Sequence, residues 1–172
     1  MQRLPLHSWA RAFQLREENG MKKRMLTAGV ALALGTVAAT AAYAQVKPEV
    51  LVKQRQAVMT LQAKYLGPIG AMLKGAAPYN ADVVALNATF LENLARMPWD
   101  GFQASTEGVK SDAKPEIYKD MAKFRADAEA LETATAKLGA VGRAKDEAGV
   151  KASFGAVAKA CGGCHDTFRV KH

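Results

Sequence analysis

The sequence has few of the side chains that usually build a reactive centre. Its 172 residues include two cysteines and three histidines. They show no internal repeat, no low-complexity tract, no glycine-rich phosphate-binding loop and no pattern typical of a catalytic triad. Convincing strand patterns are also lacking, which leaves amphipathic helices as the predicted elements. The chemistry of the protein therefore depends on where the two cysteines stand.

Both cysteines lie near the C-terminus, in the run Cys161-Gly162-Gly163-Cys164-His165. This C-x-x-C-H pattern is the attachment signature of c-type haem. Each cysteine can form a thioether to a haem vinyl group, and the histidine can bind the iron as an axial ligand. Residues three and four positions apart share one face of a helix, so the three side chains are expected to project together.

Three other interpretations of the motif are open. A structural disulfide needs no histidine, and a thioredoxin-like pair needs a βαβ setting that the sequence does not show. A zinc site requires four nitrogen or sulfur ligands, and removal of a leader containing His7 leaves only His165 and His172 as histidine donors. An export signal together with a matching helical pattern favours haem attachment.

The N-terminal region carries the three parts of a secretory signal peptide. Met-Lys-Lys-Arg starts at Met21, an apolar stretch follows, and Ala42-Tyr43-Ala44 is an A-x-A cleavage site. We predict a signal peptide over 21–44, and we interpret 1–20 as a non-native N-terminal extension because a basic region begins again at Met21. A long basic leader that starts at Met1 is the alternative. Haem attachment follows export, so both features indicate the periplasm.

The predicted mature domain is 45–172. The apolar part of the leader is shorter than a comfortable membrane span, so no stable membrane anchor is expected after cleavage, with an uncleaved anchor as the alternative. Without the six basic and two acidic residues of 1–44, the chain keeps 18 basic and 14 acidic residues, a net charge of +4. That balance gives little electrostatic support to nucleic-acid binding.

The first two predicted helices lie between 47 and 98. Pro48 opens the first helix, and Gly67-Pro68 predicts a kink because the apolar spacing continues beyond it. Asn80 is the predicted N-cap of the second helix. The apolar seam of the first helix is Leu51, Val58, Leu61, Tyr65, Ile69 and Met72, and that of the second is Val83, Leu86, Phe90, Leu94 and Met97.

Two more helices follow a long connection over Trp99 to Lys114, whose length is typical of a loop packed over something. The third starts at Pro115 and is expected to end at Gly139 to Gly142. Thr135 interrupts its seam, but its hydroxyl can bond a carbonyl one turn back. The third seam is Ile117, Met121, Phe124, Ala128, Leu131 and Leu138, and the fourth is Val150, Phe154, Val157, Cys161, Cys164 and Phe168.

Four amphipathic helices without strands predict an all-α fold, an antiparallel four-helix bundle with up-down-up-down topology. Because both cysteines stand on the seam of the last helix, a haem attached there is expected to lie inside the bundle.

At this point the chain resembles the cytochrome c prime family of class II c-type cytochromes, over essentially all of 45–172. The C-x-x-C-H motif lies in the last helix, and the first helix carries Arg55-Gln56-Ala57-Val58-Met59, similar to the Arg-Gln-x-x-(bulky apolar) stretch of the family. A helix opened by proline follows a loop that contains Trp99, and Arg169 stands four residues after His165, as in the family.

The resemblance implies one covalently bound haem c per chain, held by Cys161 and Cys164, with His165 as the axial iron ligand. It places Met59 on the other side of the iron, Arg55 and Gln56 near the propionates, and Arg169 beside the histidine. Simpler roles are open for some of these residues. Met59 can be ordinary core packing, Arg55 a solvated surface residue, and Arg169 a cation at a helix C-terminus.

The coordination of the iron depends on Met59. The family usually has a five-coordinate, high-spin haem whose crowded, apolar distal side admits small neutral molecules such as NO or CO. The alternatives are a six-coordinate, low-spin Met/His electron carrier and a dedicated NO-binding or NO-scavenging protein. We expect electron transfer and no enzymatic activity, because the histidine of the motif is assigned to iron and no acid/base pair is evident.

Two expectations about partners also come from the resemblance. A homodimer through the first two helices is expected, with exposed apolar positions such as Val52 and Leu66 at the interface. A periplasmic redox partner is expected as well, but the sequence does not identify it.

Overall fold

The computed structural model of the chain describes residues 46–171. The extension, the signal peptide and the cleavage site predicted within 1–44 lie outside the described residues. Five α-helices follow in order, and the only β-structure among these residues is an isolated bridge between Ala113 and Arg169. The helices are α1 Pro48–Leu73, α2 Ala81–Leu94, α3 Glu116–Lys119, α4 Met121–Arg143 and α5 Glu147–Phe168.

The four long helices α1, α2, α4 and α5 confirm the predicted all-α four-helix bundle. Helix α2 packs against both α1 and α4, and α4 packs along α5, whereas α1 and α5 make few close backbone approaches. Within 46–171, none of the helices combines the length and the apolar character needed to cross a membrane.

The boundaries of α1 and α2 follow the sequence closely. Helix α1 has Pro48 in its first turn and continues through Pro68 to Leu73, as the uninterrupted spacing predicted. Asn80 caps α2, and its side-chain oxygen accepts hydrogen bonds from the backbone N–H groups of Asp82 and Val83 at 3.0 and 3.1 Å. Two of the donors that a helix leaves unpaired at its start are thereby satisfied.

Helix α2 differs from its predicted seam. None of the five predicted seam residues is fully buried: four large apolar ones are exposed and Leu94 is half-buried. One close contact with helix α4 is at Ala88, where a Cβ added to Gly142 would lie 3.1 Å from the alanine Cβ. A side chain larger than alanine does not fit at position 88 opposite Gly142. The buried apolar residues are Val84, Ala88, Leu91 and Ala95, and the exposed ones are Val83, Leu86, Phe90 and Met97.

The third helix was predicted to end at Gly139 to Gly142, and it ends one residue later, but the glycines do not form its cap. Helix α4 continues to Arg143, and both glycines are buried within its last turns against α2. The chain instead turns at Lys145, which has a positive φ of 55° and whose ammonium group pairs with Asp82 at 2.7 Å. The glycines serve close helix packing, so they resemble a C-cap in sequence without being one.

The third predicted helix is interrupted. Pro115 precedes the short α3, and Asp120 breaks the helical path before α4 begins. The Asp120 side chain accepts a hydrogen bond from the Lys123 N–H at 3.0 Å and so caps α4. The seam of α4 is otherwise confirmed, and Thr135 donates a hydrogen bond to the Leu131 carbonyl one turn back, at 2.9 Å.

The predicted interface residues Val52 and Leu66 also need correction. Val52 is only 3% exposed, because it points into the molecule beside Leu51, and Leu66 is half-buried. Neither residue is an exposed apolar side chain.

The close approach of α2 and α4 can be tested with Gly142→Val. The added atoms meet Ala88 and the Val84 carbonyl, so we expect the free energy of unfolding to fall by about 1–3 kcal/mol. Chemical denaturation of the intact protein measures this loss. Gly155→Val is the matched control, because Gly155 is exposed within α5 and a Cβ there has no neighbour within 4 Å. An equal loss in both variants would contradict the packing argument.

Candidate haem site

A cavity of about 530 Å³ opens where α1 and α5 are separated. Its volume lies within the range of about 300–1,000 Å³ that is usual for small-molecule and cofactor sites. Side chains from α1, α2, α4, α5 and the connection after α2 line it, including Leu91, Trp99, Phe102, Leu131 and Val157. All seven residues that the sequence predicted for the site line the same cavity: Arg55, Gln56, Met59, Cys161, Cys164, His165 and Arg169.

Helix α5 provides Cys161, Cys164 and His165 to one wall. Both cysteines are half-buried free thiols. Burial raises the pKa of Cys161, and it raises that of Cys164 to about 11, with a further contribution from the Asp127 carboxylate. Partial burial and the charge of Arg169 lower the pKa of His165. The thiols are therefore protonated and the imidazole tends to be neutral, which is the form that binds metals.

Helix α1 provides the facing wall. Met59 is half-buried there, one turn after Arg55, while Gln56 is exposed at the margin of the cavity. Ala63 and Leu66 extend the same wall together with the polar Thr60 and Gln62, while the lining of the cavity as a whole is largely apolar.

Arg55 is buried, with an exposed fraction of 3%, so the interpretation as a solvated surface residue was wrong. Its Nη1 donates hydrogen bonds to the Gly101 carbonyl at 2.7 Å, to Thr106 Oγ1 at 3.2 Å and, weakly, to Tyr118 Oη at 3.5 Å. Its Nη2 donates to Ser111 Oγ at 3.0 Å. All four acceptors are uncharged.

The connection between α2 and α3 folds over Arg55. It contains two 3-10 helices, Trp99–Phe102 and Ala104–Thr106. The Phe102 ring lies 4.2 Å from the guanidinium carbon in a cation–π contact. A Cβ on Gly101 would approach the Cβ of Arg55 to 2.9 Å and the Leu51 carbonyl to 3.1 Å, so only glycine allows this close approach.

Arg169 lies where α5 ends. It is extended, it pairs with Asp112 at 3.8 Å, and its N–H bonds the His165 carbonyl at 3.1 Å. Two further backbone hydrogen bonds, Val170 to Asp112 and Lys114 to Phe168, tie the end of α5 to the connection at 2.9 Å each.

Sequence reasoning missed Thr106, Ser111 and Tyr118, the hydroxyl partners of Arg55. The length of the connection indicated that it is packed over another part of the protein. No spacing rule marks which hydroxyl groups meet an arginine 51 to 63 positions earlier. The burial of Arg55 makes these partners necessary, and that burial is visible only in the fold.

The residues present fit a haem group on several counts. The cavity has a largely apolar lining, and the thiols and the imidazole share one wall. Arg55 is a buried cation whose hydrogen-bond acceptors are neutral, and the Trp99 Nε1 atom is buried without a hydrogen-bond partner among the described residues. The Arg55 guanidinium and the Trp99 Nε1 atom could each donate a hydrogen bond to an anionic group such as a propionate. Cys161 and Cys164 would hold the group, and His165 would bind its iron.

Comparison with known proteins points the same way. The family model for cytochrome c′ matches residues 50–169. Cytochrome c′ from Alcaligenes xylosoxydans xylosoxydans is 40% identical over 125 residues, which cover 73% of this chain and 97% of that protein. The structure of cytochrome c′ from Rubrivivax gelatinosus has a TM-score of 0.70 at 38% identity, and covers 72% of this chain and 98% of its own.

A further solved structure bears on ligands. The nitric oxide complex of a point mutant of cytochrome c prime from Alcaligenes xylosoxidans has a TM-score of 0.69 at 39% identity. The match covers 74% of this chain and 99% of that one.

The bundle and its cavity thus define a c-type cytochrome, a protein that carries covalently attached haem c. Within that class the chain belongs to the cytochrome c′ family, which confirms the resemblance noted in the sequence.

The fit of the connection over Arg55 predicts the effect of Gly101→Ala. The new methyl group would collide with Arg55 Cβ and the Leu51 carbonyl, neither of which can move freely. We expect the free energy of unfolding of the haem-loaded protein to fall by about 1–3 kcal/mol in chemical denaturation. Gly108→Ala, in the same connection but with no neighbour within 4 Å, should remain within about 0.5 kcal/mol of the wild type. A larger loss in the Gly108 variant would refute this account.

Proposed function

We propose that this protein is a periplasmic mono-haem cytochrome of electron transfer, with a five-coordinate, high-spin haem that can bind NO or CO. Cys161 and Cys164 form the thioethers, and His165 is the axial ligand. The haem supplies one-electron chemistry between ferric and ferrous iron. The observation that carries the proposal is the single cavity that brings the three α5 residues opposite Met59 of α1.

The wall around Met59 determines which ligands are admitted. Met59 is half-buried on a wall that it shares with Thr60 and Gln62, in a cavity whose lining as a whole is largely apolar. A small neutral molecule can take its place by displacing a flexible side chain. A charged ligand would lose its hydration without compensation. NO and CO are both small and neutral, and the nitric oxide complex of a relative supports NO as a ligand. The same observation favours a dedicated NO-binding role as the second candidate.

The alternative for the iron is six-coordinate Met/His ligation with a low-spin state, as expected for a simple electron carrier. In either state we infer that the protein is not an enzyme. His165 is assigned to iron, and the Asp127 carboxylate on the cavity wall is paired with Lys123 at 2.9 Å. Export through the signal peptide predicted at 21–44 supports the periplasmic location.

Optical spectra of both redox states test the haem and its coordination. After denaturation, haem should remain attached to the wild type and should be extracted from a Cys161→Ser, Cys164→Ser double variant. The ferric wild type should show high-spin features, and Met59→Ala should leave the spin state unchanged because no iron–sulfur bond is lost. CO affinity of the reduced Met59→Ala variant should rise about tenfold or more, because CO no longer has to displace the Met59 side chain. A packing energy of about 1.4 kcal/mol corresponds to a tenfold change in affinity.

Met59→Leu is the matched control for these spectra, because it keeps an apolar side chain of similar size without sulfur. A sulfur-to-iron charge-transfer band in the wild type that disappears in both Met59 variants would establish the six-coordinate alternative instead. Haem that dissociates from the denatured wild type would refute covalent attachment.

We also propose that the protein is a homodimer through α1 and α2. Leu86 and Met97 are 56% and 54% exposed, and Leu61 of α1 and Phe90 of α2 are 38% and 39% exposed. The rings of Tyr65 in α1 and Phe90 in α2 are in contact with a centroid distance of 4.7 Å, so apolar side chains of the two helices meet there. An exposed apolar surface of this kind is typical of an interface between protein chains, and a second copy offers the same surface in return.

Leu86→Glu and Phe90→Glu should each break this dimer. An isologous interface carries every substitution twice, and one buried apolar side chain stabilises by about 1.5–3 kcal/mol. The dissociation constant should therefore rise about 10²- to 10⁴-fold in sedimentation equilibrium. Ala126→Glu, on the exposed face of α4, should leave it unchanged. A wild type that stays monomeric at high concentration, or dimers that persist in both Glu variants, would contradict the proposal.

A further inference from the structure

We propose that Thr106 and Tyr118 are positioning residues for Arg55: they fix its buried guanidinium at the cavity wall, so that its charge sets the reduction potential of the haem. This proposal rests on the proposed function, which places haem propionates at Arg55. It assigns a role to two residues that do not themselves hold the haem.

The hydroxyl of Thr106 is the centre of the arrangement. Thr106 is fully buried, and its Oγ1 lies 2.7 Å from the Gln103 carbonyl, 2.9 Å from Tyr118 Oη and 3.2 Å from Arg55 Nη1. A hydroxyl has one hydrogen and two lone pairs. The carbonyl can only accept, so it takes the Thr106 hydrogen. The two lone pairs then accept from Arg55 and from Tyr118, which makes Tyr118 the donor in that pair.

Three different segments thereby converge on one charge. Arg55 belongs to α1, Thr106 to the connection and Tyr118 to α3. The Gly101 carbonyl and Ser111 Oγ add two more acceptors from the connection, at 2.7 and 3.0 Å. Arginine has four side-chain torsions and readily moves to solvent. Acceptors on several segments remove that freedom, so the guanidinium is held in one place before any anion binds.

Two N–H groups of the Arg55 guanidinium are left to bind an anion. A guanidinium has five N–H groups. The four acceptors engage both N–H groups of Nη1 and one of the two N–H groups of Nη2. The hydrogen of Nε and the second hydrogen of Nη2 have no partner among the described residues. Since a buried cation is stabilised by an opposite charge, and Arg55 lines the cavity, the remaining donors suit a carboxylate of the bound group.

A cation fixed beside the haem favours the reduced iron, because reduction lowers the positive charge that the cation repels. If the hydroxyl of Thr106 is removed, Nη1 keeps the Gly101 carbonyl and only the weak contact with Tyr118. The side chain can then move towards water, where its charge is screened. The effect on the potential must therefore act through Arg55 and disappear when Arg55 is absent.

The experiment compares midpoint potentials of haem-loaded proteins. Thr106→Val and Tyr118→Phe should each shift the ferric-to-ferrous equilibrium about threefold towards ferric, which is about 28 mV for a one-electron couple at 59 mV per tenfold. Thr106→Ser keeps the hydroxyl and should restore the wild-type potential. Thr89→Val is the matched control, because its hydroxyl bonds the Ala85 carbonyl within α2, away from the cavity, and its potential should stay at the wild-type value.

The double variants decide the mechanism. In an Arg55→Gln background, Thr106→Val should produce no further shift, because the group on which it acts is gone. The same measurement in Arg55→Met serves if the glutamine variant holds no haem, since methionine also removes the charge and the donors.

Several outcomes would overturn the proposal. Haem-loaded Thr106→Val and Tyr118→Phe with wild-type potentials would do so, as would an equal shift in the Arg55→Gln background, which would mean that the hydroxyls act by packing alone. An unchanged potential in Arg55→Gln itself would remove the role of Arg55. These results leave covalent haem in place. A wild type without covalent haem would instead overturn the proposed function, and this proposal with it.

Discussion

The site end of the bundle depends on one buried positive charge. Taking a guanidinium out of water costs several kcal/mol unless hydrogen bonds and an anion compensate, and Arg55 is 3% exposed. This requirement explains the connection between α2 and α3, which brings the Gly101 carbonyl, Thr106, Ser111 and the Phe102 ring to the guanidinium. It also explains why glycine stands at 101, where a methyl group would separate the loop from α1.

The two faces of α2 have different surroundings. On the inner face the contact with α4 leaves little room at Ala88, where a Cβ added to Gly142 would lie 3.1 Å from the alanine Cβ. The outer face keeps the large ones, such as Leu86 and Phe90, at 56% and 39% exposure. A rule that assigns large apolar residues to the core therefore gives the wrong face. Because these side chains are exposed in the single chain, burying them against a second copy would stabilise a dimer.

Most of the bundle could be predicted from the sequence, and the seven predicted site residues line one cavity. The motif at Cys161 to His165 identifies its chemistry by spacing alone, and Asn80 and Pro48 mark helix starts through local rules. The errors arose where distant segments decide. Gly142 resembles a helix cap until α2 is placed against it, whereas Asp120 divides the third helix by a local cap on α4 that the apolar spacing does not reveal. The burial of Arg55 could not be predicted, because its hydroxyl partners lie 51 to 63 positions away.

The cavity and the apolar surface are connected through α1. In a closed bundle α1 would bury one side against α5, but here the cavity takes that place and few close approaches between the two helices remain. Helix α1 therefore has less internal packing than α4, and Leu61 on its outer side is 38% exposed. A haem in the cavity and a second copy against α1 and α2 would each restore burial that the single chain lacks. Under the proposed function, haem retention and dimer formation should therefore support one another, because both hold α1 in the position that Arg55 requires.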